Sequence, residues 1–199
     1  MARPISYALP LVAIAALTAL TACSKSEPAA DTATVAAPAP DTAKAMAAPA
    51  INDAQIAHIV VTANGVDSAA GELAKTKGTA KAVKDFGTTM ATDHAGVNKQ
   101  AVALATKLNV TPEDNDTSKQ LKAGGDQNLA TLQGLTGAAF DKAYIDHEVA
   151  YHQAVLDAID KTLVPSSQNA ELKALIVAVR PAFVAHLDRA KSIQASLAK

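Results

Sequence analysis

The chain has a single cysteine, Cys23, and no tryptophan, and its three tyrosines and three phenylalanines make aromatics only 3% of 199 residues. One cysteine excludes an intramolecular disulfide framework. Scarce aromatics argue against stacking on bases or sugars. Positive charge is not in surplus either. The formal net charge is −1, and residues 1–22 carry only Arg3, so residues 23–199 set 17 basic side chains against 19 acidic ones. A net charge near −2 argues against nucleic acid as a partner and against a basic membrane-facing surface. Neither a Gly-x-Ser-x-Gly elbow nor a Gly-rich phosphate loop after a strand pattern occurs. Nucleophilic and phosphate-loop chemistry therefore have no motif to rest on, and non-enzymatic roles lead. No feature names a protein partner.

What is present begins with an address. Arg3 precedes an apolar run from Leu9 to Leu20 that is too short to span a bilayer, which fits a signal peptide over residues 1–22. Leu20-Thr21-Ala22-Cys23 resembles a bacterial lipoprotein box, and by that resemblance Cys23 becomes the lipidated first residue of the mature chain. Ser24 in the next position resembles the pattern of outer-membrane sorting. The expectation is a periplasmic protein held to the outer membrane by an N-terminal lipid. The alternative is simple secretion with an incidental cysteine. Residues 23–50 hold Pro28, Pro38, Pro40 and Pro49 among Ala, Thr and Asp. Such a stretch buries too little surface to offset its ordering entropy, so it reads as a disordered tether. At ~3.1 Å per residue it reaches roughly 80 Å.

Residues 51–199 are enough for one domain with a real core, and their apolar spacing is helical. The pattern predicts an all-α, antiparallel four-helix bundle with a short extra helix in the long crossover between helices two and three. A five-helix array is the alternative. Helix one spans Asn52 to Lys77, capped by Asn52 or Asp53, with Ile56, Ile59, Ala63, Val66, Ala70 and Leu73 as its inner row. Helix two spans Ala80 to about Leu108, with Thr79 as cap, and places Val83, Phe86, Met90, Val97, Ala101 and Leu104 inward. The crossover, residues 109–137, suits a short helix broken near Gly124-Gly125. Helix three, residues 138–164, turns two adjoining rows inward, Ile145, Val149, Leu156, Ile159 and Leu163 beside Phe140, Tyr144, Tyr151 and Val155. Asp141 and Lys142 read as its solvated face. Helix four starts at Ser167, with Leu172, Leu175, Val179, Phe183, Ala190 and Ile193 inward and a kink at Pro181.

Polar side chains interrupt these inward rows. His94, His152 and His186 each occupy a row position near the middle of a different helix. Glu148 shares the inward face of His152 at i,i+4, and Asp67 lies beside the row of helix one. Counted from the turns at 1.5 Å per residue, the members of each hairpin fall within roughly 10 Å of one height. Two readings compete. Imidazoles and carboxylates converging in a bundle core bind a small ligand or a transition metal such as iron, zinc, copper or manganese, the metal-ligand set being His94, Glu148, His152, His186 and Asp67. Otherwise each histidine merely donates to a buried acid, a tyrosine hydroxyl or water and fixes helix register, and the domain is a non-enzymatic envelope interaction or stress-related structural module. Glu148-x-x-x-His152 departs from the Glu-x-x-His spacing of di-iron bundles. His147 on its helix flank and Asp93 outside its row rank below the five. A pH sensor is a third possibility, since buried histidines must charge in acid.

A set of short motifs runs through the domain in order: Thr62-Ala63-Asn64 with Gly71-x-Leu73-Ala74, Val83-Lys84-x-Phe86, Met90-x-x-Asp93-His94, Phe140-Asp141-x-x-Tyr144, His152-Gln153, and Pro181-x-x-x-x-His186-Leu187. By these the domain resembles a bacterial exported family, domain of unknown function 4142, which has a ferritin-like fold. Where that family typically has Glu, this chain has Asp67, a shorter arm. The resemblance implies a fold and an envelope location, with members often labelled outer-membrane proteins. It implies no activity.

Overall fold

The computed structural model describes residues 51–199, whose regular elements are all helices, without a strand among them. The signal segment, the tether and Cys23 lie outside the described residues. Asp53–Lys77 forms α1, Lys81–Lys107 forms α2, Asp116–Gly134 forms α3 and Gly137–Ala158 forms α4. A π-helical turn, Ile159–Leu163, carries α4 into the short α5, Val164–Ser166, and Ala170–Leu197 forms α6. None of the described helices is long and apolar enough to cross a membrane.

Cross-helix contacts give the directions. Asn64 meets His94 and Gly71 meets Gly87 between α1 and α2. Asp146 meets Gln194 and Asp160 meets Arg180 between α4 and the π turn on one side and α6 on the other. Asp93 meets His186 and Lys107 meets Glu171 between α2 and α6. Numbers rise on one member of each pair as they fall on the other, so all three pairs run antiparallel. Tyr151 donates to the Ala63 carbonyl, which joins α4 to α1. The α1–α2 pair approaches most closely. A Cβ on Gly71 would lie 2.6 Å from the Ala91 amide nitrogen, and one on Gly87 would lie 2.7 Å from that of Lys75. Only glycine lets the two backbones touch there.

Several local expectations need correction. The helix of the crossover is continuous through Gly124-Gly125, because Gly125 is buried against Val66, where a Cβ would come within 2.6 Å of both of its methyls. That helix packs on α1, with a smaller contact to α4. Asp141 is not on a solvated face. It is buried and accepts from the Thr79 amide at 2.9 Å, the Ala80 amide at 2.8 Å and the Thr79 hydroxyl at 2.5 Å. Asp141 of α4 thus anchors the turn that leads into α2, holding the amide of its N-cap residue Ala80 and that of Thr79 before it. Asn169 caps α6, accepting from Glu171 and Leu172, whereas Ser167 donates back to the Leu163 carbonyl. Helix α6 passes through the exposed Pro181 without ending, and the π segment belongs to the continuation of α4.

The core lies in two main apolar clusters. One gathers Ala70, Ala74, Val83, Phe86, Met90, Phe140, Tyr144, Ile145, Ala190 and Ile193, and the other Ile56, Ile59, Val60, Ala101, Ile159, Leu163, Leu172 and Ile176. Leu156, Phe183 and Leu187 form a smaller group. Each large aliphatic or aromatic side chain contributes roughly 1.5–3 kcal/mol when fully buried. That stabilisation carries a layer of buried polar residues: Asn64 and Asp67 on α1, His94 on α2, Glu148 and His152 on α4, and His186 on α6. In sequence each falls between residues of the flanking apolar layers.

Candidate metal centre

All five of Asp67, His94, Glu148, His152 and His186 are buried, and four helices bring them together. His94, His152 and His186 each offer a ring nitrogen, with these atoms within 4.8 Å of one another. Asp67, Glu148 and His152 meet the same condition. The imidazole centroids stand 5.3–5.5 Å apart in all three pairings. Phe183 closes one side, its ring edge-on to His94 at 4.9 Å.

The hydrogen bonds behind the rings assign a tautomer to each histidine. Asn64 donates through Nδ2 to the Val60 carbonyl at 2.8 Å, so its Oδ1 accepts from His94 Nδ1–H at 2.9 Å. His152 Nδ1–H donates to the Glu148 carbonyl at 3.1 Å, with Glu148 Oε2 also within 3.4 Å. His186 Nε2–H donates to Asp93 Oδ2 at 3.0 Å. One nitrogen of each ring is therefore occupied by an outer acceptor. The other is left as a lone pair: Nε2 of His94, Nε2 of His152 and Nδ1 of His186, all buried without a hydrogen-bond partner. Ligating histidines show this arrangement, an outer acceptor fixing the ring while the free nitrogen faces a cation.

Both oxygens of Asp67, Oε2 of Glu148 and the Tyr144 hydroxyl are likewise buried without a partner. Such atoms cost roughly 1–3 kcal/mol each when nothing satisfies them. In the protonated forms that burial favours, Asp67 and Glu148 become donors and hydrogen-bond each other and Tyr144, so the imidazole lone pairs are what most needs a partner at this level. Asp67 Oδ2 lies 3.2 Å from His94 Nε2 and 3.6 Å from His152 Nε2, between two of the lone pairs.

The electrostatics stem from burial. Desolvation, reinforced by the charge of Glu148, holds the Asp67 carboxyl well above the usual carboxylate range. Burial pushes Glu148 up to about 8, with hydrogen bonding to Asp67 and Tyr144 drawing it partly back. His94 is pulled down to about 2, first by burial and then by His152 and His186. Burial lowers His186 as well, although Asp93 opposes this. With no cation among them these acids favour their protonated forms and His94 its neutral form. A bound cation reverses the preference of the acids, because it supplies the charge they lack.

Two partners lie outside the candidate ligand set. In the sequence Asn64 stands out only within a motif, and Asp93 ranks below the five because its helical position faces outward. Spacing carries a weak signal for each: Asn64 is one turn before Asp67, and Asp93 adjoins His94. Of the tyrosines that the structural alternative offers the histidines as partners, Tyr151 donates its hydroxyl to the Ala63 carbonyl and Tyr144 faces Glu148. His147 stacks on Tyr151 at 5.5 Å, at the flank where its spacing puts it.

No curated protein and no solved structure matches the chain. The sequence profile described as a domain of unknown function (DUF4142) matches residues 36–193, most of the chain and every residue of the polar layer, so the chain belongs to that family.

Proposed function

We propose that this protein is a metal-binding lipoprotein of the bacterial envelope. Its helices form a ferritin-like, antiparallel four-helix bundle of α1, α2, α4 and α6 with α3 carried outside. A transition-metal ion sits among His94, His152, His186, Asp67 and Glu148. The observation that carries this reading is the matched arrangement of three imidazoles, each tied by one nitrogen to an outer acceptor and each offering a ring nitrogen within 4.8 Å of the others. Histidines serving only packing would spend both nitrogens or turn one to water.

The anchoring part rests on Leu20-Thr21-Ala22-Cys23 and on the Pro- and Ala-rich residues after it. A lipid on Cys23 would place the domain in the periplasm near the outer membrane. The membrane is then a partner only through that lipid. Fractionation of cells carrying wild type or Cys23→Ser tests it: wild type belongs with the outer membrane and the variant does not. A soluble wild-type protein rejects the anchor.

Binding is tested on the full-length, tag-free protein exposed to iron, zinc, copper or manganese and then freed of loosely held ions. The expected result is a stoichiometric ion that survives exchange. Substoichiometric metal under all four conditions rejects the function and leaves the histidines a structural role.

A further inference from the structure

The five polar residues do not make five equivalent ligands, and their arrangement limits how many ions they hold. Each imidazole has only one free lone pair, because its other nitrogen is committed to Asn64, to the Glu148 carbonyl or to Asp93. The two groups of converging residues share His152, whose single free nitrogen cannot serve two cations. Asp67 Oδ2 stands 3.2 and 3.6 Å from the free nitrogens of His94 and His152. A tetrahedral ion with bonds of about 2.1 Å has ligand atoms about 3.4 Å apart. Those two separations match the edges of such a tetrahedron, and His186 offers a ring nitrogen within 4.8 Å of those of His94 and His152.

Glu148 sits differently. Its Oε2 lies 3.4 Å from Nδ1 of His152, on the far side of the ring from the free nitrogen. That is the place of a carboxylate supporting a ligating histidine from behind. Charge gives the same count. Ligation needs neutral imidazoles. With Asp67 and Glu148 ionised, the layer supplies two negative charges, which one divalent ion cancels. Two divalent ions would leave a net double positive charge between apolar clusters, at high desolvation cost.

We infer that the centre holds one divalent ion per chain in a closed tetrahedral site made by His94 Nε2, His152 Nε2, His186 Nδ1 and Asp67 Oδ2, with Glu148 as the buried counter-charge behind His152. This rests on the metal-binding reading and narrows it to the zinc class, for which three imidazoles and one carboxylate are suitable ligands. Four protein ligands leave no position for water or substrate. The site keeps its ion and does not run hydrolysis.

Cobalt(II) titration of the full-length, tag-free protein tests this, with bound metal measured by elemental analysis. The expected outcome is one cobalt per chain with the intense visible bands of tetrahedral cobalt, bleached by zinc. Asp67→Asn and His186→Ala should lose those bands, and His58→Gln, outside the layer, should keep them. Glu148→Gln should keep the tetrahedral bands while binding about 10–100-fold more weakly. Two ions per chain, or the weak bands of six-coordinate cobalt, overturn the inference and leave the metal-binding reading standing. Loss of the bands in Glu148→Gln makes Glu148 a ligand and overturns the assignment. If cobalt, zinc, iron, copper and manganese all fail to bind, the underlying reading itself falls. Should a variant lose its helical circular dichroism, the wild-type stoichiometry and spectrum still decide.

Discussion

His186 donates its Nε2 proton to Asp93 across the α2–α6 interface, and the Asp93 side chain is 48% exposed. The acceptors behind the other two histidines are the buried Asn64 amide and a helix carbonyl. The centre therefore has one edge at which an ordering contact reaches solvent. Asp93→Ala should weaken metal binding by about 10–100-fold, as loss of such a contact typically does. Apo stability should move by less than about 0.5 kcal/mol, since the side chain is exposed. Competition with a chelator and thermal melting of the same sample measure both.

Asn64 should behave in the opposite proportion. Asn64→Ala leaves His94 Nδ1–H without its acceptor inside the core. The cost should be roughly 1–3 kcal/mol of stability even without metal, visible in urea unfolding. An apo protein as stable as wild type would show that His94 finds another partner.

The pH response should change sign with metal. Without it, Glu148 rises from its ordinary value of 4.5 to about 8 on folding, so the stability tied to its protonated form is complete below 4.5 and lost as pH climbs towards 8. Asp67 shifts the same way. His94 is depressed from 6.5 to about 2, so its contribution is complete above 6.5 and lost as pH falls from there. Raising the pH from 6.5 to 8 should therefore destabilise the apo protein. With zinc bound, ligation favours the ionised acids and releases protons, so the same rise should strengthen binding. Melting midpoints with and without zinc across that range check the crossing of the two trends.

Glycine positions give a paired test of helix approach. Gly71→Ala forces a methyl against the Ala91 amide and the Gly87 carbonyl, 2.6 and 2.8 Å away. It should cost roughly 1–3 kcal/mol and displace Asp67 from His94, lowering metal retention as well. Gly96 has nothing within 4 Å of its added Cβ and lies inside α2. Gly96→Ala should stabilise by about 0.5–1 kcal/mol through helix propensity and leave metal binding unchanged.

Asp141→Ala removes the carboxylate that accepts from Thr79 and Ala80. Loss of these contacts leaves the amides at the turn without their acceptor and should cost roughly 1–3 kcal/mol, measured by denaturant unfolding. Metal stoichiometry should be untouched, because these contacts stand at the α1–α2 turn, away from the polar layer.

Much of the helical layout is visible in the spacing of apolar residues. Asn52 and Gln55 form the capping box of α1, one of the two starts expected from its residue types. The three histidine positions stand out because each breaks an apolar row, a one-dimensional signal. Ser167, Gly124-Gly125 and Asp141 mislead for a shared reason. Capping preference, glycine's helix penalty and the polarity of an aspartate are local averages. Here Asn169, Val66 and the turn at Thr79 override them through contacts made by folding.

The residue order alone determines the helices, the inward placement of His94, His152 and His186, and the scarcity of charge and aromatics that narrows the field of partners. Periodicity suffices for this, because it states which face of one helix avoids water. It cannot state which atoms of different helices meet. Helix packing decided that Asp67 Oδ2 lies between two imidazole nitrogens and that Asn64 and Asp93 stand behind His94 and His186, whereas Glu148 meets His152 within one helix, as their i,i+4 spacing implies. Rotation and close approach of whole helices set those distances, and touching glycines such as Gly71 and Gly87 act only once both helices are in place.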